Sequence, residues 1–255
     1  MKPIWIVAHN TFLEIIRDRI LYGMIICAVA LVFFSLALGQ LTFTEQTRIT
    51  LDFGFTAIHI CAAILSIFVG STLVAREIEK KTILTLLARP VSRTQFVVGK
   101  YFGLLSVILA SIFLISLVLV GLIFLMRMSP TWSFVVGLYG VFAEAAILLA
   151  ATIFFGSFAS PMLSVAFALG AFLIGHWLES LRFFAEKSGE PAFIFFARVV
   201  RTTVPNLEYF NWRSLFIYGD PVPAQELFYY SMYGVAWCTF LITVATLILW
   251  RRDLG

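Results

Sequence analysis

The sequence predicts an all-α, polytopic membrane protein with six transmembrane helices. Hydrophobic residues make up 61% of the chain and charged residues only 13%, whereas about a quarter of the residues in a soluble domain are charged. Several long runs also lack charge, and each approaches the roughly 20 apolar residues that cross a bilayer as a helix. Because these runs are continuous and do not alternate with polar residues, they favour helices over the strands of a membrane barrel.

The apolar runs divide one transmembrane domain, residues 1–255, into six predicted spans. Pro130 and the turn from Ser157 to Pro161 separate the runs in the middle of the chain. The predicted spans lie near residues 20–41, 53–76, 98–126, 132–156, 161–179 and 226–250. Residues 180–225 form a long connection between the last two spans.

Residues 1–19 precede the first span and have the pattern of an amphipathic helix. Their apolar face contains Ile4, Ala8, Phe12, Ile15 and Ile16. Asn10, Glu14, Arg17 and Asp18 lie on the other face, which makes the segment too polar to cross the bilayer. We therefore expect a helix that lies in the membrane interface.

The distribution of basic residues predicts that both termini are cytoplasmic. With this orientation, eleven of the eighteen basic residues lie in short cytoplasmic segments, as the positive-inside rule requires. Six of them fall between Arg76 and Lys100, in the connection between the second and third spans. Positive charge alone would set topology and contact anionic lipid headgroups, but it does not explain the internal pattern of this connection.

The sequence of the connection between the second and third spans predicts a short helix followed by a fixed corner. Glu77 and Lys81 are four residues apart in the order that favours a helix. Pro90 disfavours helix at the preceding residue and ends the element. Ser92 and Gln95 then have the spacing of a capping box, which predicts that a new helix begins at once.

The run "EIEKKTILTLLARPVSRTQFVVGKY" resembles the cytoplasmic signature of ABC type-2 permeases, and most closely that of stand-alone permeases of the nitrous-oxide-reductase maturation type. The matching positions are Glu77, Glu79, Lys81, Thr82, Leu86, Leu87, Pro90, Val91, Ser92, Arg93, Gly99 and Lys100. The resemblance implies that residues 77–92 form a coupling helix and its corner, which dock on a separate ATPase, and that residues 1–19 are the elbow helix. The implied docking residues are Glu77, Glu79, Lys80, Lys81, Leu84, Leu87, Arg89, Pro90, Ser92 and Arg93.

The chain itself lacks the motif for nucleotide hydrolysis. Gly99 and Lys100 are followed by Tyr101, and the G-x-x-x-x-G-K-[ST] pattern is absent from the sequence. We therefore expect a transport subunit that is not an enzyme and binds no cofactor, with ATP and Mg²⁺ held by the partner ATPase. The resemblance implies two ATPase copies and a second permease copy or paralogue, in contact with membrane lipid in the bacterial cytoplasmic (inner) membrane, with no role for nucleic acid.

The expected activity is export of a substrate, whose identity the sequence does not specify. The alternative is a mechanotransmission or assembly subunit that acts on an extracytoplasmic partner and moves nothing across the membrane. A cavity lined by Glu144 would favour transport, whereas a sealed interface with an extended external platform would favour the alternative. A possible extracytoplasmic accessory protein remains open in either case.

Two of the ionisable residues within the predicted spans are candidates for a translocation path. Glu144 lies near the middle of the fourth span, where a carboxylate costs about 2.5–3.5 kcal/mol on insertion scales. The sequence shows no partner for Glu144, so this residue is interpreted either as a cavity residue or as a hydrogen-bonded acid between packed helices. His59 in the second span has the same two interpretations.

The sequence predicts no metal site. His176 and Glu179 are three residues apart, a spacing that suits two metal ligands, but no third ligand is evident. Cys27, Cys61 and Cys238 each lie singly in a predicted span and are interpreted as small apolar residues. For residues 180–225, the resemblance predicts a re-entrant or external helical gate, and its arginines are interpreted as solvated charge.

Overall fold

The computed structural model describes residues 2–40, 46–71, 92–127, 129–220 and 224–251. Within these residues every regular element is a helix. The helices are α1 (Lys2–Ile16), α2 (Arg19–Gln40), α3 (Gln46–Ile64), α4 (Arg93–Leu125), α5 (Trp132–Gly156), α6 (Pro161–Ser188), α7 (Pro191–Thr203), α8 (Arg213–Tyr218) and α9 (Ala224–Arg251). A π-helical turn at Leu65–Val69 continues α3, and a 3₁₀ turn at Glu208–Phe210 precedes α8. The all-α prediction is confirmed.

Six of these helices are long and apolar enough to cross a membrane. They are α2, α3 with its π-helical turn, α4, α5, α6 and α9, in the order that the sequence predicts. Helix α5 coincides with the predicted fourth span, and charged residues extend α3, α4 and α6 beyond their apolar runs. The predicted ends of the first two spans, residues 41 and 72–76, lie outside the described residues. The chain is therefore a multi-pass membrane protein.

The end of the fifth span is the clearest difference from the prediction. The apolar run ends near residue 179, but α6 continues to Ser188. Arg182 and Glu186 form an ion pair one helical turn apart in this extension, with 2.7 Å between Nε and Oε1. Gly189 then adopts the left-handed conformation, with φ of 66°, which commonly ends a helix. The connection to α9 therefore begins nine residues later than predicted, at 189 instead of 180.

Helix α5 is the centre of the bundle. Of its most apolar 18 residues 72% are buried inside the protein, compared with 22% for both α2 and α6. Its second half is rich in alanine and is buried from Glu144 to Ile153, so neighbouring helices pack closely around it. Helices α3, α4, α6, α8 and α9 all contact α5, whereas α2 and α6 expose many apolar side chains on the outside of the bundle.

Helix α1 packs along the first half of α4 through two glycines of α4. A side chain at Gly99 would lie 2.7 Å from Val7, and one at Gly103 would lie 2.6 Å from the carbonyl oxygen of Ala8. This small-xxx-small spacing lets the two backbones approach. The buried residues of α1 are Val7, Ala8, Thr11 and Ile15, so the contact face is rotated from the predicted one, in which Ile4, Phe12 and Ile16 are only partly buried.

The segment after α7 turns back into the bundle. Leu207 is fully buried, and its backbone N–H donates to the carbonyl oxygen of Gly175 in α6 at 3.2 Å. Asn206 donates through Nδ2 to Glu179 at 3.0 Å and accepts through Oδ1 from the backbone of Glu208 at 3.1 Å. Residues 205–213, which we call the re-entrant segment, therefore lie against α5 and α6 rather than on the surface.

Candidate functional site

Three helices each bring one ionisable side chain to the same place. His59 comes from α3, Glu144 from α5 and His176 from α6. At 1.5 Å per residue, Glu144 lies about 18 Å from the start of α5 and His176 lies about 18 Å from the end of α6. His59 lies about 20 Å from the start of α3. Because α3 and α5 run opposite to α6, these positions are at a similar depth, and we call the three residues the buried cluster.

Glu144 lies between the two histidines. Its Oε1 is 2.8 Å from Nε2 of His59 and 3.4 Å from Nε2 of His176. The two imidazole rings are 5.6 Å apart between centroids. Exposure of the side chains is 5% for Glu144, 16% for His59 and 22% for His176. The carboxylate is thus withdrawn from solvent, and its hydrogen bond with His59 offsets part of the cost of burying it.

The orientation of His176 fixes its tautomer. Its Nδ1 lies 3.0 Å from the backbone carbonyl oxygen of Phe172, one turn earlier in α6. A carbonyl oxygen only accepts, so Nδ1 carries a hydrogen and donates it. In the neutral ring Nε2 then carries a lone pair, and this lone pair faces the Glu144 carboxylate.

A cavity of about 60 Å³ adjoins the buried cluster. All three cluster residues line it, together with Gly137 and Val141 of α5. The re-entrant segment contributes Glu208, Phe210, Asn211 and Arg213. Arg213 donates through Nη1 to Thr56 at 3.0 Å, and its Nε lies 3.9 Å from Asp52. Asn211 donates to Glu208 at 2.7 Å. Six of the nine lining residues are therefore polar or ionisable, within a bundle that is otherwise mostly apolar.

Glycines in α5 allow the re-entrant segment to cover this cavity. A side chain at Gly140, one turn before Glu144, would collide with the carbonyl oxygen of Phe210. Trp212 also packs on this surface, stacked on Tyr139 with 5.9 Å between ring centroids. The close backbone approach at Gly140 thus sets the position of the chain that lies over the buried cluster.

Comparison with known protein families identifies the family to which the chain belongs. A family model described as "ABC-2 family transporter protein" matches residues 12–179, which is well over half of the chain. The chain belongs to the ABC-2 transporter family. None of the curated proteins matches it significantly. The family match confirms the permease resemblance, while the nitrous-oxide-reductase subtype stays a prediction.

Membership of the ABC-2 family establishes the chain as the membrane component of an ABC transporter. Such a permease is a transport component without its own ATPase site, and it implies an ABC ATPase as partner. The matched residues include the signature run, the whole of α3 and α5, and His176. The buried cluster and the predicted docking segment therefore both lie in the part of the permease that the family shares.

The structure gives Glu144 the partners that sequence reasoning did not find. Glu144 and His59 were predicted as separate candidates, and the structure joins them through a 2.8 Å contact. His176 and Glu179, whose spacing would suit two metal ligands, have different partners in the structure. His176 instead points at Glu144, whereas Glu179 accepts a hydrogen bond from Asn206. The three-residue spacing within α6 carried no signal for the contact between α6 and α5.

Most of the predicted docking residues lie outside the described residues. These are Glu77, Glu79, Lys80, Lys81, Leu84, Leu87, Arg89 and Pro90. Ser92 and Arg93 are described, and they form the start of α4, which we call the α4 corner. The predicted capping box is confirmed: the Ser92 hydroxyl accepts from the backbone of Gln95 at 3.2 Å, and the Gln95 side chain accepts from the backbone of Ser92 at 3.1 Å.

The α4 corner has a long-range contact that the sequence did not reveal. The Arg93 guanidinium donates to the backbone carbonyl oxygens of Leu249 and Trp250 at the end of α9. The last carbonyls of a helix carry partial negative charge, so a cation is favourable there. Arg93 thereby joins the start of α4 to the end of the last span.

Lys100 of the signature is buried between α1 and α4. It is 4% exposed, its Nζ lies 3.5 Å from Glu14 of α1, and it lies 5.8 Å from the centroid of the Phe96 ring. Gly99 beside it makes the close contact with α1. The last two residues of the signature therefore hold α1 against α4.

Proposed function

We propose that this ABC-2 permease couples ATP hydrolysis by a separate ATPase to the export of a substrate across the bacterial cytoplasmic membrane. In this proposal both termini are cytoplasmic, and the ATPase holds ATP and Mg²⁺. The observation that carries the proposal is the continuity of the signature run with the α4 corner. The residues expected to dock on the ATPase extend from Glu77 to Arg93, and Ser92 among them caps α4.

The contacts of the α4 corner support a route for force into the bundle. A displacement of residues 77–92 acts first on the capped start of α4. The hydrogen bonds from Arg93 to the carbonyl oxygens of Leu249 and Trp250 transmit this displacement to the end of α9. The α1 contacts at Gly99 and Lys100 pass it to the N-terminal helix. Three helices thus move with the coupling segment.

The buried cluster supports transport over mechanotransmission. A subunit that only transmits motion needs no polar cavity within its helices, whereas the cavity here is lined by Glu144 and opens beside α5. The re-entrant segment covers this cavity from the side that the proposed orientation makes extracytoplasmic. We therefore propose that it acts as the outer gate, which moves when the ATPases close.

A second permease subunit completes the proposed transporter. Helices α2 and α6 are the least buried spans, and both present large apolar side chains, among them Phe33, Phe34 and Phe167. Such surfaces face either lipid or another membrane subunit. A pair of permeases, equal or paralogous, provides one docking segment for each of two ATPases.

The docking assignment is tested by co-purification of the permease with its ATPase. We expect Leu84→Asp and Leu87→Asp to abolish ATPase recovery without preventing membrane insertion, because each places a charge in the apolar contact. Thr85→Asp is the matched control: in the expected helix this position faces away from Leu84 and Leu87, and the variant adds the same charge. Undiminished ATPase recovery with Leu84→Asp and Leu87→Asp contradicts the assignment.

A further inference from the structure

We propose that His59, Glu144 and His176 bind one divalent transition-metal ion of the Zn²⁺ class inside the helical bundle. Each residue offers one ligand atom, and these atoms all lie within 4.8 Å of one another. The proposal goes beyond the transport function and does not depend on coupling to an ATPase. It rests on the separation of the ligand atoms, the orientation of His176, and the charge and volume of the cavity.

The separations suit a small ion. Zn²⁺ binds imidazole nitrogen and carboxylate oxygen at about 2.0–2.2 Å, so two ligands of a tetrahedral site lie about 3.3 Å apart. The two distances from Glu144 Oε1 are 2.8 Å to His59 Nε2 and 3.4 Å to His176 Nε2. Small rotations of the three side chains therefore bring all three ligand atoms into the first coordination shell.

His176 has the arrangement of a metal-binding histidine. Its Nδ1 donates to the Phe172 carbonyl oxygen at 3.0 Å, and histidine ligands typically donate their other ring nitrogen in this way. This hydrogen bond leaves the Nε2 lone pair facing the lone pairs of Glu144 Oε1 at 3.4 Å. A cation between the two atoms converts a contact between acceptors into two favourable bonds. The same cation also coordinates the Nε2 atom of His59.

The charge of the cavity favours a cation. Glu144 and Glu208 supply two carboxylates to its lining, and Arg213 supplies one guanidinium. Arg213 is held toward α3 by its hydrogen bond to Thr56 and by Asp52 at 3.9 Å. With neutral histidines the ionised lining residues therefore carry a net negative charge, which a divalent ion compensates.

The volume of the cavity leaves room for a further ligand. About 60 Å³ is available, compared with the roughly 10–15 Å³ that one water molecule needs on this measure. Three protein ligands with a fourth position open to water are typical of an accessible zinc site. The ion would tie α3, α5 and α6 together at the depth of the buried cluster.

The ligand set defines the class of ion. Two imidazoles and one carboxylate suit Zn²⁺, Co²⁺ and related first-row ions. Mg²⁺ and Ca²⁺ prefer oxygen ligands throughout. The three proposed ligands include no thiolate or thioether, the soft ligands that select Cu⁺. Zn²⁺ and its spectroscopic substitute Co²⁺ are therefore the ions to test.

The test uses the full-length permease, purified in detergent and freed of metal with a chelator. Co²⁺ is titrated and followed by its visible absorption, and Zn²⁺ is then added in competition. We expect one Co²⁺ per chain, with the bands of a four- or five-coordinate nitrogen and oxygen site and no thiolate charge-transfer band. Zn²⁺ should displace it. His176→Gln and Glu144→Gln, which keep similar volumes, should each weaken binding by at least about 100-fold, since metal affinity falls about 10–100-fold even when only a supporting residue is changed.

His9→Gln is the matched control, because His9 is the one histidine outside the cluster and lies exposed on α1. This variant should bind Co²⁺ as the wild type does. The proposal is overturned if the folded wild-type chain gives no Co²⁺ bands, or if His176→Gln and Glu144→Gln retain wild-type affinity. Should both cluster variants fail to fold, X-ray absorption spectroscopy of the Zn²⁺-loaded wild type identifies the ligands of the ion and so tests the proposal. Two imidazoles at the zinc support the site, and any other ligand set contradicts it.

Discussion

The buried cluster and the α4 corner are built in opposite ways. The cluster joins His59, Glu144 and His176, which are far apart in the chain, at a place where the carboxylate is almost fully withdrawn from solvent. The corner joins Ser92 and Gln95, three residues apart, in an exposed capping box. Within the part of the chain that the structure describes, Arg93 gives the corner a distant contact, with the end of α9.

This difference separates stability from coupling. A buried polar group that loses its partner keeps its full desolvation cost, because no water replaces the partner. An exposed group that loses its partner is solvated instead. Changes at the buried cluster should therefore affect the stability of the permease, whereas changes at the α4 corner should affect the transmission of motion more than stability.

The largest expected effect is at Gly140, where the re-entrant segment covers the buried cluster. In Gly140→Ala the added methyl group collides with the carbonyl oxygen of Phe210, and backbone atoms cannot move aside as a flexible side chain does. Overpacking of this kind costs about 1–3 kcal/mol, and we expect the upper end. The unfolding temperature of the purified permease in detergent measures it.

Gly170→Ala is the control for Gly140→Ala, because a side chain at Gly170 in α6 meets nothing within 4 Å. It makes the same chemical change in another membrane-spanning helix. We expect its unfolding temperature to match that of the wild type. Equal destabilisation by the two substitutions would show that the close approach to Phe210 does not matter.

The next effect is at Glu144, measured in metal-free protein. Glu144→Ala removes the hydrogen-bond partner of the partly buried His59 and should lower the free energy of unfolding by about 1–3 kcal/mol. Glu144→Gln keeps one hydrogen-bond acceptor and should cost less. Glu186→Ala is the matched control, since the Glu186 side chain is 61% exposed and water replaces its partner. If Glu144→Ala were as stable as Glu186→Ala, the buried cluster would not hold the bundle together.

The two regions also differ in what the sequence predicts. The capping box was predictable because its hydrogen bonds join residues three apart, so the pattern Ser92–Gln95 contains the whole interaction. The spans were predictable for a similar reason, since length and apolar composition decide whether a helix crosses the bilayer. Their ends were less predictable, because charged helix formers extend α6 to Ser188 beyond the apolar run.

The buried cluster was only partly predictable. Glu144 and His59 stood out as ionisable residues in apolar spans, which is a signal for a functional role. Their pairing depends on which faces of α3, α5 and α6 meet, and 85 residues separate the two. His176 lies near the predicted end of its span, so the sequence placed it at the membrane boundary. The extension of α6 brings it to the depth of Glu144.

The smallest effect on stability is expected at Arg93, together with the clearest effect on coupling. Arg93→Ala removes a cation from the C-terminal end of α9, a contribution of about 0.3–1 kcal/mol, so the unfolding temperature should change little. Arg93 is also one of the ten expected docking residues, so ATPase recovery should fall slightly. If the α4 corner transmits motion to α9, transport should fall much further than ATPase recovery. The measurement compares ATPase recovery with transport in reconstituted vesicles.

Arg198→Ala is the control for Arg93→Ala, because Arg198 is exposed on α7 and its loss removes the same charge far from the corner. This variant should keep both ATPase binding and transport. A permease with Arg93→Ala that transports as well as the wild type would contradict a force route through α9. Since the capping box of Ser92 remains intact in that variant, motion would then have to enter the bundle through α4 and its contacts with α1 alone.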